Sequence, residues 1–74
     1  MATMVIGIGA LVTVGDSDGE ERYTIVAPED ADVFGGRISS DSPLGRALLG
    51  RSVGDQVRVR TPGGLRVVTI VQID

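Results

Sequence analysis

Only one stretch of this chain carries the punctuation of a helix, and it is too short to stand alone. Ser42 is a good N-cap, Pro43 suits the first helical position, and Gly50 suits the residue just past the end. Between them Leu44, Ala47 and Leu48 fall at i, i+3 and i+4, a single apolar face. Arg46 and Arg51 fall toward the solvent and the C-terminal end, where the helix dipole favours positive charge. About two turns of helix do not persist in water, so this one must lie on a sheet.

The rest of the chain predicts that sheet. Val and Ile dominate the apolar residues and favour pleated, half-buried positions. A first strand is expected over Val5 to Val14, with a glycine irregularity near its start, then a turn over Gly15 to Gly19. Arg22 to Val26 returns as the second strand, Pro28 ends it, and an acidic loop from Glu29 closes at Gly35-Gly36. Arg37 to Ser40 reads as a short third strand. Beyond the helix, Val53-Gly54-Asp55 turns the chain, and Gln56 to Arg60 alternates apolar and polar as a half-wet strand should. Thr61-Pro62-Gly63-Gly64 closes a hairpin onto a last strand, Leu65 to Ile73. The expected class is α+β, a small antiparallel sheet packed against one short helix.

Length and residue usage narrow the chemistry. The 74 residues allow one small domain, and they include no Cys and no His. That removes the usual zinc ligands, a disulfide framework, and Cys–His or Ser–His nucleophile pairs. The longest apolar run falls far below the ~20 residues of a membrane helix, and no charged leader precedes a cleavage-like site. A cytoplasmic setting without membrane attachment is expected. The net charge is −3, divided as −5 over residues 1–37 and +2 over residues 38–74. A net-acidic protein gains little from phosphate neutralisation, so nucleic-acid binding is disfavoured and a charged protein partner is the better fit.

Several constellations dissolve on inspection. Gly7-Ile8-Gly9 lacks the third glycine and the following helix of a dinucleotide loop, so a bulge or close backbone approach is expected there. Asp16-Ser17-Asp18-Gly19-Glu20-Glu21 lacks the third acidic ligand and the bidentate glutamate of a calcium loop, and reads as a solvated hairpin tip. Arg58, Arg60 and Arg66 are expected on and across a wet strand face, without the interleaved aromatics of a nucleic-acid surface. Glu29, Asp30 and Asp32 are solvated, so no raised pKa and no catalytic pair is implied. What caps alone leave unexplained is Asp41 beside Ser39 at the mouth of the helix, where the dipole favours its charge by roughly 0.3–1 kcal/mol. Ser39, Asp41 and Pro43 thus form a rigid polar corner, and rigid corners lose little entropy on binding a protein.

The segment Ile38-Ser39-Ser40-Asp41-Ser42-Pro43-Leu44-Gly45-Arg46-Ala47-Leu48-Leu49-Gly50, then Val53-Gly54-Asp55 and Thr61-Pro62-Gly63-Gly64, resembles the C-terminal domain of the GreA/GreB transcript cleavage factors. Gly9 to Val14 and Tyr23 to Val26 fit the same domain, and the match runs from about Val5 to Ile73. The resemblance implies an FKBP-like fold over residues 5–74, behind a disordered or added N-terminal stretch, residues 1–4. It implies docking on the rim helices of the secondary channel of bacterial RNA polymerase. The polymerase-contacting Ser, Asp and Pro of that family fall on Ser39, Asp41 and Pro43, and Ser42 completes the motif as the helix cap. In such factors a coiled coil carries the acidic tip and its magnesium ion. No heptad run is present here, so a binding domain is expected, neither an enzyme nor a cofactor carrier. The alternatives are a regulator of another protein, like the Gre-related regulators of nucleoside diphosphate kinase, and a prolyl isomerase of FKBP type. The second would need a pocket lined by aromatics, and only Tyr23 and Phe34 are present.

Overall fold

The computed structural model describes residues 4–74. Of the expected N-terminal stretch, residues 1–3 lie outside the described residues, and Met4 is exposed. The elements are β1 (Leu11–Asp16), β2 (Gly19–Val26), a 3-10 turn (Pro28–Asp30), β3 (Arg37–Ser39), α1 (Pro43–Leu48), β4 (Gln56–Thr61) and β5 (Gly64–Ile73). The strands form one sheet in the order β3-β2-β1-β5-β4.

The α+β class is as expected, but the sheet is mixed rather than wholly antiparallel. The β1–β2, β1–β5 and β4–β5 pairs are antiparallel, whereas β3 runs parallel to β2 with Ile25 opposite Ile38. The physical reason lies in residues 27–36, which carry the chain back along β2 before β3 begins. A tight hairpin would have reversed it; a long return does not.

The first strand starts at Leu11, not Val5. Gly9 adopts φ +94°, and the Ala10 N–H donates to the Gly7 carbonyl at 3.1 Å, so this stretch is a turn rather than a pleat. Ahead of it, Ile6 donates its N–H to the Arg51 carbonyl (2.9 Å) and accepts from the Gly50 N–H (2.8 Å). Its side chain is 2% exposed, plugging the core from outside the sheet.

Both hairpins are tighter than their turn residues suggested. Asp16 pairs with Gly19 and Thr61 with Gly64, leaving the two-residue loops Ser17-Asp18 and Pro62-Gly63. Asp16 Oδ1 accepts the Asp18 N–H at 2.8 Å, the local bond that suits Asp to a turn.

The core collects alternate residues from each strand. It contains Val12, Val14, Ile25, Ile38, Val57, Val59, Val68, Ile70 and Ile73, with Ile6 and Leu48 from outside the sheet. Ile70 and Ile73 both point inward, which strict alternation forbids. A bulge resolves this: Thr13 faces Gln72 while Val14 faces Ile70, and the extra residue, Val71, is exposed. Helix α1 packs against β4 and β3, the two outermost strands. The sheet therefore curls until both edges reach the helix, and Leu48, 0% exposed, fills the space between. Burial of such a leucine contributes about 1.5–3 kcal/mol.

Register also separates the arginines. Arg58 and Arg60 face Val67 and Leu65, but Arg66 faces Val59. Directly opposed residues share a face, so Arg66 lies on the core side of the sheet, away from Arg58 and Arg60.

Candidate functional site

The expected corner forms where β3 hands over to α1. Its last sheet bond is Ser40 N–H to the Val26 carbonyl, 2.8 Å. From there each polar group finds a partner within a few residues. Ser39 Oγ accepts the Asp41 N–H at 3.0 Å. The Ser39 carbonyl accepts twice from Ser42, from its N–H at 3.0 Å and its hydroxyl at 2.7 Å. Ser42 Oγ in turn accepts the Gly45 N–H at 3.0 Å, the N-cap bond that the sequence predicts. Gly50 follows the helix with φ +80°, in the left-handed region that favours glycine.

The structure brings Ser39, Asp41, Ser42 and Pro43 together and divides them by task. Ser39 and Ser42 are half-buried and engaged with the backbone, while Asp41 and Pro43 are exposed. Among the described residues the Asp41 carboxylate has no ion-pair partner. Its charge is therefore free to meet a cation brought by another molecule, on a backbone already fixed by four hydrogen bonds.

Sequence reasoning gave Gly45 no task. A Cβ there would stand 2.1 Å from the Ser39 carbonyl oxygen and 3.1 Å from Ser42 Oγ. Only a hydrogen at that position lets the helix start against the end of β3. The signal was available: a glycine inside a six-residue helix costs about 1 kcal/mol relative to alanine, and needs a packing reason.

The Val53-Gly54-Asp55 turn closes reciprocally behind the helix. The Ser52 N–H donates to Asp55 Oδ2 at 2.8 Å, and the Asp55 N–H donates to the Ser52 carbonyl at 3.1 Å. Gly54 adopts φ +94°. The turn is structural and fixes the start of β4.

A second polar group lies on the core face beside the β1–β2 hairpin. Arg66 pairs with Glu21 at 2.8 Å and with Asp16 at 3.5 Å, and the Tyr23 hydroxyl donates to Glu21. The Tyr23 hydrogen bond and the Arg66 guanidinium hold the Glu21 carboxyl below its usual range. Partial burial, with the Glu21 carboxylate as acceptor, holds the Tyr23 phenol above its own. Asp16 is thus occupied by Asp18 and Arg66, and the hairpin tip presents a closed network rather than half of a cation site.

The two aromatics that an isomerase pocket would need are apart. Tyr23 is half-buried on the sheet beside Glu21, and Phe34 stands out in the loop before β3. A shallow depression of about 290 Å³ lies at the β4–β5 turn, against Arg60, Thr61, Gly64 and Leu65, and contains neither.

Comparison with known proteins converges on one family. The family described as "Transcription elongation factor, GreA/GreB, C-term" matches residues 1–74. The transcription elongation factor GreA of Bacillus licheniformis is 51% identical over 71 residues, covering 93% of this chain and 45% of that protein. The crystal structure of GreA factor homolog 1 of Thermus thermophilus superposes with a TM-score of 0.86 at 38% identity, covering 99% of this chain and 50% of that one. The GreA/GreB factor of Nitrosomonas europaea gives 0.81 at 33% identity, covering 99% of this chain and 62% of that one. The chain thus spans less than half the length of the Bacillus relative. On the whole-length family match and these identities, the chain belongs to the GreA/GreB transcription elongation factor family, whose C-terminal domain it represents.

Proposed function

We propose that this domain is a docking module for bacterial RNA polymerase, seated on the rim helices of the secondary channel through Ser39, Asp41, Ser42 and Pro43. The observation that carries the reading is the division within the corner. Asp41 and Pro43 are exposed, on a backbone locked by Ser39 and Ser42. Asp41 would meet a cationic side chain of the rim, and Pro43 would pack its ring beside that contact. Both groups are already in place, so docking costs little ordering entropy. Ser39 contributes indirectly by holding the Asp41 N–H, and its own hydroxyl proton remains available to donate.

In this reading the domain does no chemistry itself and needs no cofactor. It works in the bacterial cytoplasm, and in an intact factor it would anchor the coiled coil. No helix among the described residues is long and apolar enough to cross a membrane. Sequence-specific nucleic-acid contact is not part of the proposal.

The test is equilibrium binding of the purified domain to bacterial core polymerase, with Asp41→Ala and Pro43→Ala alongside wild type. Loss of binding in both variants, with unchanged melting temperature, supports the reading. Binding equal to wild type in both would show that the surface is wrongly assigned. Wild-type capture of nucleoside diphosphate kinase instead of polymerase would favour the regulator alternative.

A further inference from the structure

The feature that the corner leaves unused is the loop on the other side of β3. Val33 is 79% exposed and Phe34 104%, so Phe34 stands fully in solvent and the large apolar side chain before it stands mostly so. Phe34 is the chain's single phenylalanine. An isolated exposed apolar residue is ordinary, but a fully exposed aromatic next to a second apolar residue on a fixed loop is not.

The loop is fixed by its own backbone. Asp32 and Arg37 exchange both hydrogen bonds, each 2.9 Å, and close the loop at its base. Within it the Gly35 N–H donates to the Asp32 carbonyl (3.1 Å) and to Asp32 Oδ1 (3.2 Å), and the Gly36 N–H donates to the Val33 carbonyl (3.2 Å). A Cβ on Gly35 would meet Asp32 Oδ2 at 2.8 Å, and Gly36 adopts φ +76°. These bonds hold Phe34 outward instead of letting it fold back onto the sheet.

We infer that the Val33-Phe34 tip is a second anchor for the same docking partner, inserting the phenyl ring into an apolar pocket of a basic protein surface. The inference rests on the docking role of the corner and extends its footprint along the edge of the sheet. The tip and the corner stand at opposite ends of β3, whose three residues span about 10 Å. A standard interface buries about 800 Å² per partner, a patch wide enough to hold both. Aromatic residues are enriched in the cores of such patches.

Charge decides among possible occupants. Glu29, Asp30 and Asp32 precede the tip, all exposed, and Asp41 lies beyond the other end of β3. The exposed Arg37 at the loop base and Arg22 beside Gly36 offset only two of these four charges, so the surround stays net negative. Anionic lipid headgroups and nucleic-acid phosphates are repelled by that run of carboxylates. A second copy of the chain would bring the same acids against themselves. A protein surface with Lys or Arg around an apolar pocket is attracted by the acids and covers the ring, so the observations favour it.

The experiment uses the single phenylalanine as its own reporter. Biosynthetic 4-fluorophenylalanine puts one ¹⁹F nucleus at position 34, read with and without bacterial core polymerase. The inference expects the free resonance to be solvent-exposed and to shift and broaden on binding. It also expects Phe34→Ala and Val33→Ser each to weaken Kd at least tenfold, with the melting temperature unchanged. A wild-type affinity in Phe34→Ala, with Asp41→Ala still defective, would overturn the second anchor and leave the corner standing. A defect in Phe34→Ala with wild-type affinity in Asp41→Ala and Pro43→Ala would instead overturn the shared footprint together with the assigned corner. Concentration-dependent broadening without polymerase, abolished by Phe34→Ala, would identify a second copy as the occupant and also overturn the inference.

Discussion

The carbonyl oxygen of Ser39 occupies the place where a side chain on Gly45 would begin, 2.1 Å from an added Cβ. This close approach lets the end of β3 and the first turn of α1 share one set of hydrogen bonds, and it sets the angle at which Asp41 and Pro43 are presented.

Replacing Gly45 with alanine separates two opposing effects. Helix propensity alone favours alanine by about 1 kcal/mol. The clash with backbone, which cannot rotate aside as a side chain can, acts the other way at about 1–3 kcal/mol. Gly45→Ala is expected to be net destabilising, lowering the melting temperature by several degrees, since 1 kcal/mol corresponds to roughly 4–8 °C in a domain of this size. A rise on thermal unfolding would show that the corner opens without cost.

Ser42 both accepts from the Gly45 N–H and donates to the Ser39 carbonyl. Ser42→Ala is expected to lose about 1–2 kcal/mol in denaturant unfolding. Asp, elsewhere as good a cap as Ser, is not expected to restore it. An aspartate keeps the acceptor but sets a carboxylate against the Ser39 carbonyl in place of a donor. Full rescue by Ser42→Asp would mean that the donated bond contributes nothing.

Ile6 lies outside every strand, yet it is as buried as the sheet core. Ile6→Ala is expected to cost about 2–5 kcal/mol, as large-to-small changes in a packed core do. Chemical denaturation measures this directly, and a change below about 0.5 kcal/mol would show that residues 4–10 are not part of the cooperative unit.

The Arg66–Glu21–Tyr23 network predicts opposite limbs in pH. Glu21 is lowered in the folded state, so its contribution is present above the unfolded carboxyl pKa and is lost as pH falls below about 4.5. Tyr23 is raised, so its contribution is present below the unfolded phenol pKa and is lost as pH rises beyond about 10. The Glu21 side chain is about half exposed (51%), so solvent screens its pairing and the acid limb is small, within about 1 kcal/mol. Glu21→Gln is expected to flatten part of the acid limb in melts across pH 3 to 6, against wild type. An unchanged slope would remove Glu21 from the account.

At the corner, Asp41→Asn keeps the shape and removes the charge. A hydrogen bond to a charged partner contributes about 1.5–3 kcal/mol, so polymerase affinity is expected to fall by about tenfold to a hundredfold. The salt dependence of binding is expected to weaken with it. Equal salt slopes for the variant and wild type would show that Asp41 meets no cation.

What could be read in advance follows from the range of the interactions involved. The cap at Ser42, the proline at position 43 and the glycine at position 50 act within one helical turn, so local sequence placed the start of α1 to the residue and its end within one. The alternation of Gln56 to Arg60 placed β4 in the same way. The corner was also legible, because Ser39, Asp41, Ser42 and Pro43 make it from neighbouring residues.

Other features depend on contacts between distant segments. The parallel seating of β3, the bulge that turns both Ile70 and Ile73 inward, and the position of Arg66 on the core side all depend on which strand lies alongside. So does Gly45, whose missing side chain matters only because the end of β3 lies against the helix. The sequence by itself determined both hairpin turns, the start of α1 and which four residues meet at the corner, but not the turn over residues 7–10 that delays β1 to Leu11. The tertiary structure alone decided how far each is covered, leaving Ser39 and Ser42 half-buried while Asp41 and Pro43 face outward. Hydrogen bonds within a few residues form wherever those residues occur, but exposure and facing are set by what the rest of the chain leaves uncovered.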